Sequence, residues 1–228
     1  MTRRRGEVET RRIAGVILAG GKNRRFPTLK AFINIEGSPI IERNLRLLKG
    51  IFDEVFISTN MPEMYFYLSM PLIGDVLPSR GPMSGIYSSL INAKSDCIFV
   101  IACDMPFVET DVVSFICKKH IEVFKGGLHK GDLKSPLCVD ATIPVYNGEP
   151  QPLLGVYCKT ALTYLENRVL NEKTSMRRLL SEINTHFIGE SDIMTVDPDG
   201  RSFVNINTME DYERIAHGSW LMAHSKKL

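Results

Sequence analysis

Several things are scarce in this chain, and each scarcity excludes a class of function. Apolar runs long enough to cross a bilayer are missing. The first apolar stretch, Ile13 to Ala19, is too short and gives way to polar residues instead of a small-residue cleavage site. A cytoplasmic protein with no membrane partner is therefore expected. Charge of one sign is also scarce: the net value of +2 over 228 residues gives no argument for a nucleic-acid partner. Much of the basic excess lies in Arg3, Arg4, Arg5, Arg11 and Arg12, so residues 1–12 read as a solvated basic arm. The five cysteines (Cys97, Cys103, Cys117, Cys138 and Cys158) form an odd set without CxxC spacing. That predicts reduced, mostly buried thiols and neither a disulfide framework nor a zinc site. Finally, GKNRRFPTLK lacks the G-K-[ST] ending of a P-loop, and no G-x-G-x-x-G points to a dinucleotide oxidoreductase.

What remains is an ordinary globular composition, 44% hydrophobic and 24% charged, which predicts one domain over residues 13–228. Strand-length apolar runs alternate with helical periodicity: a strand at Ile13 to Ala19, a helix near Pro39 to Leu48, a strand at Glu54 to Ser58 and a short strand around Leu72 to Asp75. A helix from about Pro82 to Asn92 follows, then the run Cys97 to Cys103, whose continuous apolarity predicts a central parallel strand buried on both faces. The next helix starts at Thr110 or Asp111 and ends near His120 to Phe124, and Gly126 to Pro136 reads as a loop or inserted hairpin. The second half is less regular, with strands near Pro144, Leu153, Thr185 and Phe203 and helices near Thr160 to Arg168 and Ser175 to Glu182. The fold class is α/β: three layers, a mostly parallel sheet with helices on both faces, Rossmann-like. Such sheets bind ligands beyond the carboxyl ends of their strands.

Three polar features follow such ends. The segment GVILAGGKNRRFPTLK breaks an apolar strand at a glycine pair and leads into basic residues. Main-chain N–H groups of Ala19, Gly20, Gly21 and Lys22 are candidates for phosphate oxygens, with Arg25 and Lys30 neutralising charge on a nucleotide and its leaving pyrophosphate. A unit charge pair at 4 Å is worth about 4 kcal/mol at an effective dielectric near 20, before desolvation. Asp104 stands directly after the central strand and before Met105-Pro106, where the ladder must stop. It is a candidate Mg²⁺ ligand, because magnesium takes one or two carboxylates plus substrate oxygens and waters. Capping of the following turn would explain an aspartate there as well. Asp75 either accepts from a ribose or base or orders the loop after it. Gly81 and Gly85 around Pro82 either let backbone approach a ligand or belong to a proline-started helix. None of the five histidines is assigned a catalytic role.

The segments LAGGKNRRFPTLK, GDVLPSRGPMSGI, VIACDMPF, QPLLGVY and FVNINTMEDYERI, in that order, resemble the molybdenum cofactor guanylyltransferase family over most of Ile13 to Ala216. The resemblance implies transfer of GMP from GTP to the terminal phosphate of molybdopterin (Mo-molybdopterin), with magnesium and with release of pyrophosphate. The product would pass on to molybdoenzymes or their chaperones. By position, Leu18, Ala19, Gly20 and Lys30 match the guanine-nucleotide loop, Asp75 a nucleotide-binding aspartate, and Asp104 the aspartate that binds nucleotide and Mg²⁺. Asn205 and Asn207 match the segment near the pterin side. The cytidylyl branch tends to read LAAG where this chain has Leu18-Ala19-Gly20-Gly21, and an aspartate-rich strand where it has Asn205-Ile206-Asn207. Both choices lean towards guanine. The chain departs from the family at Phe26-Pro27, where relatives usually carry Met-Gly. It also departs at Ser58, where some place an asparagine that Asn60 could replace.

Two rivals share these residues. A cytidylyl or sugar-phosphate nucleotidyltransferase of the same fold would keep the glycine loop and metal aspartate, and nucleotide preference separates it. A non-catalytic nucleotide-binding adaptor would not need the full set of Arg25, Lys30 and Asp104, and pyrophosphate release decides against or for it.

Overall fold

The computed structural model describes residues 13–20, 30–78, 81–126 and 139–216. The basic arm, the loop from Gly21 through Arg25 to Phe26-Pro27, and most of the Gly126 to Pro136 segment lie outside them. Among the described residues ten strands occur in chain order: β1 (Ile13–Leu18), β2 (Asn34–Ile35), β3 (Ser38–Pro39), β4 (Val55–Ser58), β5 (Leu72–Ile73), β6 (Cys97–Ala102), β7 (Ala141–Tyr146), β8 (Glu149–Pro150), β9 (Leu154–Cys158) and β10 (Thr185–Ile188). The helices are α1 (Ile40–Ile51), α2 (Pro82–Asn92), α3 (Thr110–Gly126), α4 (Leu162–Leu170), α5 (Met176–Glu182), α6 (Glu190–Ile193) and α7 (Met209–Ala216). None of the described helices is long and apolar enough to cross a membrane.

The main sheet runs β10-β7-β9-β6-β1-β4-β5, with β8 paired to β7. Its β6-β1-β4-β5 half is parallel throughout. Beyond β6 the chain departs from the expectation of a strand with parallel neighbours on both sides, because β9 pairs with β6 antiparallel. Burial on both faces, which the apolar run did predict, does not depend on the direction of the neighbour. The alternation of side chains along β1 and β6 then separates two cores. Ile13, Ile17, Phe99 and Ile101 face Leu48 and Phe52 at the end of α1 and Val112 and Ile116 of α3. Ala14, Val16, Ile98 and Val100 face Met83, Ile86 and Leu90 of α2 and Leu165 and Val169 of α4. Helices thus cover both faces.

Helix α2 begins as its sequence dictates: Gly81, at φ 73°, turns the chain through a backbone region closed to most residues, and Pro82 takes the first helical position. The two-residue strands β2 and β3, joined by Glu36 and Gly37 at positive φ, form a hairpin that leads directly into α1, the helix expected near Pro39 to Leu48. Arg43 of α1 fastens this hairpin by donating to the Ile35 carbonyl and pairing with Glu36.

The cysteine expectation is corrected. Cys97 and Cys158, 61 residues apart, are directly opposed in the β6–β9 ladder and joined by a disulfide. Cys117 is buried and free as expected, and Cys103 is free and partly buried. His120 of α3, 3% exposed, packs against this bridge; burial, with His186 nearby, pushes its imidazole from 6.5 down to about 4. The unfolded chain therefore binds a proton that the folded one refuses between these values. Stability from this group is complete above pH 6.5 and falls as the pH drops towards 4, by a loss on the order of 3 kcal/mol. Thermal melts of the oxidised protein at pH 7.5 and pH 4.5 should show this acid loss reduced in His120→Gln. An equal loss in both proteins would assign it to other groups.

Candidate active site

The carboxyl ends of β1, β4, β5 and β6 surround a cleft of about 370 Å³, whose walls include Leu18, Gly20, Asn60, Asp75, Gly85 and Asp104. The topology has thus gathered at one edge the features that follow separate strands in sequence. Asp104 leaves β6 in a tight turn: the Cys103 N–H donates to the Leu18 carbonyl at 3.1 Å, extending the β1 ladder by one residue, and the carboxylate projects beyond it. Cys103 contributes its thiol to the floor, where burial first and the Asp104 carboxylate second push it up to about 12. It stays protonated and is not a nucleophile.

Lys30 opens a 3₁₀ turn, Lys30–Phe32, and its ammonium lies between two oxygens: Asn207 Oδ1 at 2.9 Å and Asp104 Oδ2 at 3.3 Å. Asn207 arrives from 177 residues away because its segment is docked on the same turn. The Ile206 N–H donates to the Asp104 carbonyl at 3.0 Å, and the Ile206 side chain is buried with Ile33, Ile35 and Ile40. Asp211 fixes the other end of the segment. Its carboxylate accepts from the N–H groups of Asn207 and Thr208, both at 2.9 Å, while its own N–H donates to Thr208 Oγ1, a reciprocal cap at the start of α7. Burial would raise the Asp211 carboxyl, but these donors and Arg214 outweigh it and hold the group below its usual range.

Across the cleft Asp75 is held by Asn60. The Asn60 amide donates to Asp75 Oδ2 at 2.7 Å and its carbonyl accepts from the Asp75 N–H at 2.8 Å. The loop after Asp75 is pinned from α2, where Ser88 Oγ accepts from the Val76 N–H and Ser84 Oγ donates to the Pro78 carbonyl. Asp75 therefore lines the cleft wall, while the bonds that order the loop after it come from Ser84 and Ser88 and not from Asp75 itself. Ser58 lies on the floor and Asn60 near the rim. Gly85 is explained by packing as much as by the cleft: a Cβ there would stand 2.9 Å from Ser58 Oγ and 3.1 Å from Leu18 Cδ2, so α2 reaches β1 and β4 only with glycine at that place.

One expectation is redirected. The Ala19 N–H, a candidate phosphate donor, instead donates to the Ser58 carbonyl at 2.8 Å, because the β1–β4 ladder runs on one residue past the strand end. Asn205, which the resemblance places with Asn207 near the pterin side, does not line this cleft. It lines a second cavity of about 240 Å³ with Tyr146, Phe203 and Arg214, and Tyr146 and Phe203 stack there with ring centroids 4.5 Å apart. Gly21 and Arg25 lie outside the described residues. The sequence reading offered Asn60 only as a replacement for the asparagine that some relatives place at Ser58; its clamp on Asp75 went unread, although its place just past the end of β4 was the available signal.

Known proteins resemble this chain over most of its length. The MobA-like NTP transferase domain family matches residues 15–187. A molybdenum cofactor guanylyltransferase of Desulfosudis oleivorans is 30% identical over 203 residues, covering 89% of this chain and 93% of that protein. Another, from Syntrophotalea carbinolica, is 28% identical over 88% of this chain and 89% of that one. The crystal structure of molybdopterin-guanine dinucleotide biosynthesis protein A from Archaeoglobus fulgidus superposes with a TM-score of 0.75 at 24% identity, covering 91% of this chain and 98% of that chain. A mostly parallel sheet between helices, a cleft at its carboxyl edge and relatedness over nine-tenths of the chain lead to one assignment: this protein is a nucleotidyltransferase that belongs to the MobA-like NTP transferase family, with the molybdenum cofactor guanylyltransferases among its relatives.

Proposed function

We propose that the chain transfers GMP from GTP to the terminal phosphate of molybdopterin. An acceptor phosphate oxygen forms a bond to the α-phosphorus as the bond to the pyrophosphate oxygen breaks on the opposite side. The observation that carries this reading is the Lys30–Asp104–Asn207 cluster at the mouth of the nucleotide-sized cleft.

An acceptor phosphate has its second pKa near 6 and is largely ionised at neutral pH, so no residue need act as general base. The work left to the protein is positioning and charge neutralisation. Lys30 supplies a cation, directed by Asp104 and Asn207, for the oxygens that gain charge as pyrophosphate departs. Asp75, steadied by Asn60, is an acceptor for ribose or base on the far wall. Leu18, Gly20 and Gly85 shape the floor and entry, while Gly21 and Arg25 keep the roles expected from the sequence. The acceptor approaches from the side of Asn205 and Asn207, where the second cavity lies.

Nucleotidyltransferases of this family typically work with a divalent metal ion. Mg²⁺ fits the donors present, since Asp104 Oδ2 and Asn207 Oδ1 are oxygens that already share one cation, the Lys30 ammonium. Asp104 would hold the ion, which would supply further neutralisation at the phosphate oxygens.

Calorimetric titration with GTP, CTP and ATP, each with Mg²⁺ and again with EDTA, tests the reading. Selective, magnesium-dependent GTP binding is expected, followed by pyrophosphate release once molybdopterin is added. Preference for CTP would reassign the base, and binding without turnover would favour an adaptor.

A further inference from the structure

The first residue of β6 and the last of β9 lie at the end of the sheet opposite the nucleotide cleft. Five residue steps of β6, about 17 Å, separate Cys97 from Ala102, the last strand residue before the cleft turn. At that far end His120 Nε2 stands 3.5 Å from Cys158 Sγ and 3.7 Å from Cys97 Sγ, and the three groups form a cluster of possible metal ligands. We propose that, once the disulfide is reduced, Cys97, His120 and Cys158 bind one zinc ion, with water in the fourth position.

The distances carry the argument. For zinc–nitrogen and zinc–sulfur bonds of about 2.1 and 2.3 Å at tetrahedral angles, the nitrogen–sulfur edge is about 3.6 Å. In the bridged form both His120–cysteine distances already lie within 0.1 Å of that edge, so on reduction it is the sulfur–sulfur edge that has to open. The two cysteines oppose each other with Cα atoms 4.0 Å apart, so their thiolates can take the sulfur–sulfur edge of the same tetrahedron. A disulfide alone requires no histidine, and sulfur is a weak hydrogen-bond partner for the buried ring. His120 Nδ1 is 2.9 Å from Thr142 Oγ1, the kind of outer partner that orients a metal-bound imidazole. With the hydrogen on Nδ1, the Nε2 lone pair faces both sulfurs. Cys97 is only partly buried, which gives an ion an approach from solvent.

The chemistry balances in two steps. A small dithiol reductant passes two electrons and two protons to the Cys97–Cys158 bond and closes its own disulfide. The ion then displaces one proton from each thiol and accepts the two thiolates and the imidazole. Bridge and metal use the same sulfurs and exclude each other, so the site alternates between a covalent and a metal-held link from β6 to β9. Spacing alone gave no such site, because the ligands meet through the antiparallel register and the packing of α3.

The test uses the full chain, reduced with dithiothreitol and desalted anaerobically, then titrated with Co²⁺ as a spectroscopic probe and with Zn²⁺ against a chromophoric chelator. One equivalent with thiolate-to-cobalt charge-transfer absorption is expected for the reduced protein and none for the oxidised one. Cys158→Ser should weaken Zn²⁺ binding at least a hundredfold, whereas Cys103→Ser, Cys117→Ser and Cys138→Ser should not. Should the Cys158 variant fail to fold, alkylation of the reduced wild type read by mass spectrometry replaces it, and Zn²⁺ should protect Cys97 and Cys158 selectively. Absence of the cobalt band in folded, reduced protein, or protection of other cysteines, overturns the proposal. GTP binding lies outside this test, so failure here and failure of the nucleotide reading are distinct.

Discussion

Asp104→Ala is expected to lower nucleotidyl transfer by three orders of magnitude or more while the melting temperature stays close to that of the wild type. The side chain is 23% exposed and, among the described residues, makes a single ion pair, with Lys30, itself 18% exposed. Partly solvated pairs of this kind contribute at most about 1 kcal/mol to stability. Little packing is lost either, because the carboxylate projects from the end of β6 while the neighbouring backbone bonds, Cys103 N–H to Leu18 and Ile206 N–H to Asp104, involve no side chain. The cost to the reaction is of another size. A phosphoryl group in flight carries its charge on oxygens that must be met by fixed cations, and losing even one such stabilising group costs about 10²–10³ in rate. Removing Asp104 takes away the proposed ion's protein ligand and the carboxylate that aims Lys30. Pyrophosphate release measures the loss, and calorimetry with and without EDTA separates its causes: GTP binding to the variant should no longer respond to EDTA. Near-normal turnover would refute the metal assignment.

The sequence revealed this carboxylate because its signal is local. A continuous apolar run fixes β6, Pro106 lies soon after its end, and the short turn between the two, Asp104 in it, must stand at the ligand edge of the sheet. The alternation in Ile13 to Leu18 likewise divides the two cores without reference to anything distant. What escaped was set by register or tertiary contact. The direction of β9 is not written in LGVYC, and only that direction brings Cys158 opposite Cys97. Strands of two residues, such as β2 and β3, are too short for any period to show. Ala19 looked like a free phosphate donor because the overrun of the β1–β4 ladder appears only once β4 is in place.

The site shows the same division. Lys30 and Asp104 could each be singled out by chemical type, yet their 3.3 Å contact needs β1 and β6 as neighbours. The Asn60–Asp75 clamp likewise needs β4 and β5 side by side, as Ser58 and Ile73 are in the ladder. Two asparagines two residues apart, Asn205 and Asn207, read as one motif. Their segment is not a strand, and it carries Asn207 to Lys30 and Asn205 to the cavity with Tyr146.

Lys30→Ala should reduce kcat by two to three orders of magnitude, equivalent to about 2.7–4 kcal/mol of transition-state stabilisation, with a smaller change in the ground-state affinity for GTP. The asymmetry follows from when charge appears: the pyrophosphate oxygen becomes fully anionic only as its bond to the α-phosphorus breaks, so a cation aimed there counts most in the transition state. Lys30 is also a tether between the turn after β6 and the segment carrying Asn207, and a purely structural lysine would give a different result. Loss of the tether alone would lower the melting temperature and leave kcat intact, since the segment is still held by the Ile206 N–H and by Asp211. Kinetics and melts on one preparation distinguish the two. The double variant Lys30→Ala with Asp104→Ala sharpens the distinction. If the carboxylate acts partly by aiming the ammonium, their combined loss will be well short of the product of the single losses, as expected for groups that work as a unit. Full multiplicativity would instead mean that the 3.3 Å contact between them plays no part in the reaction.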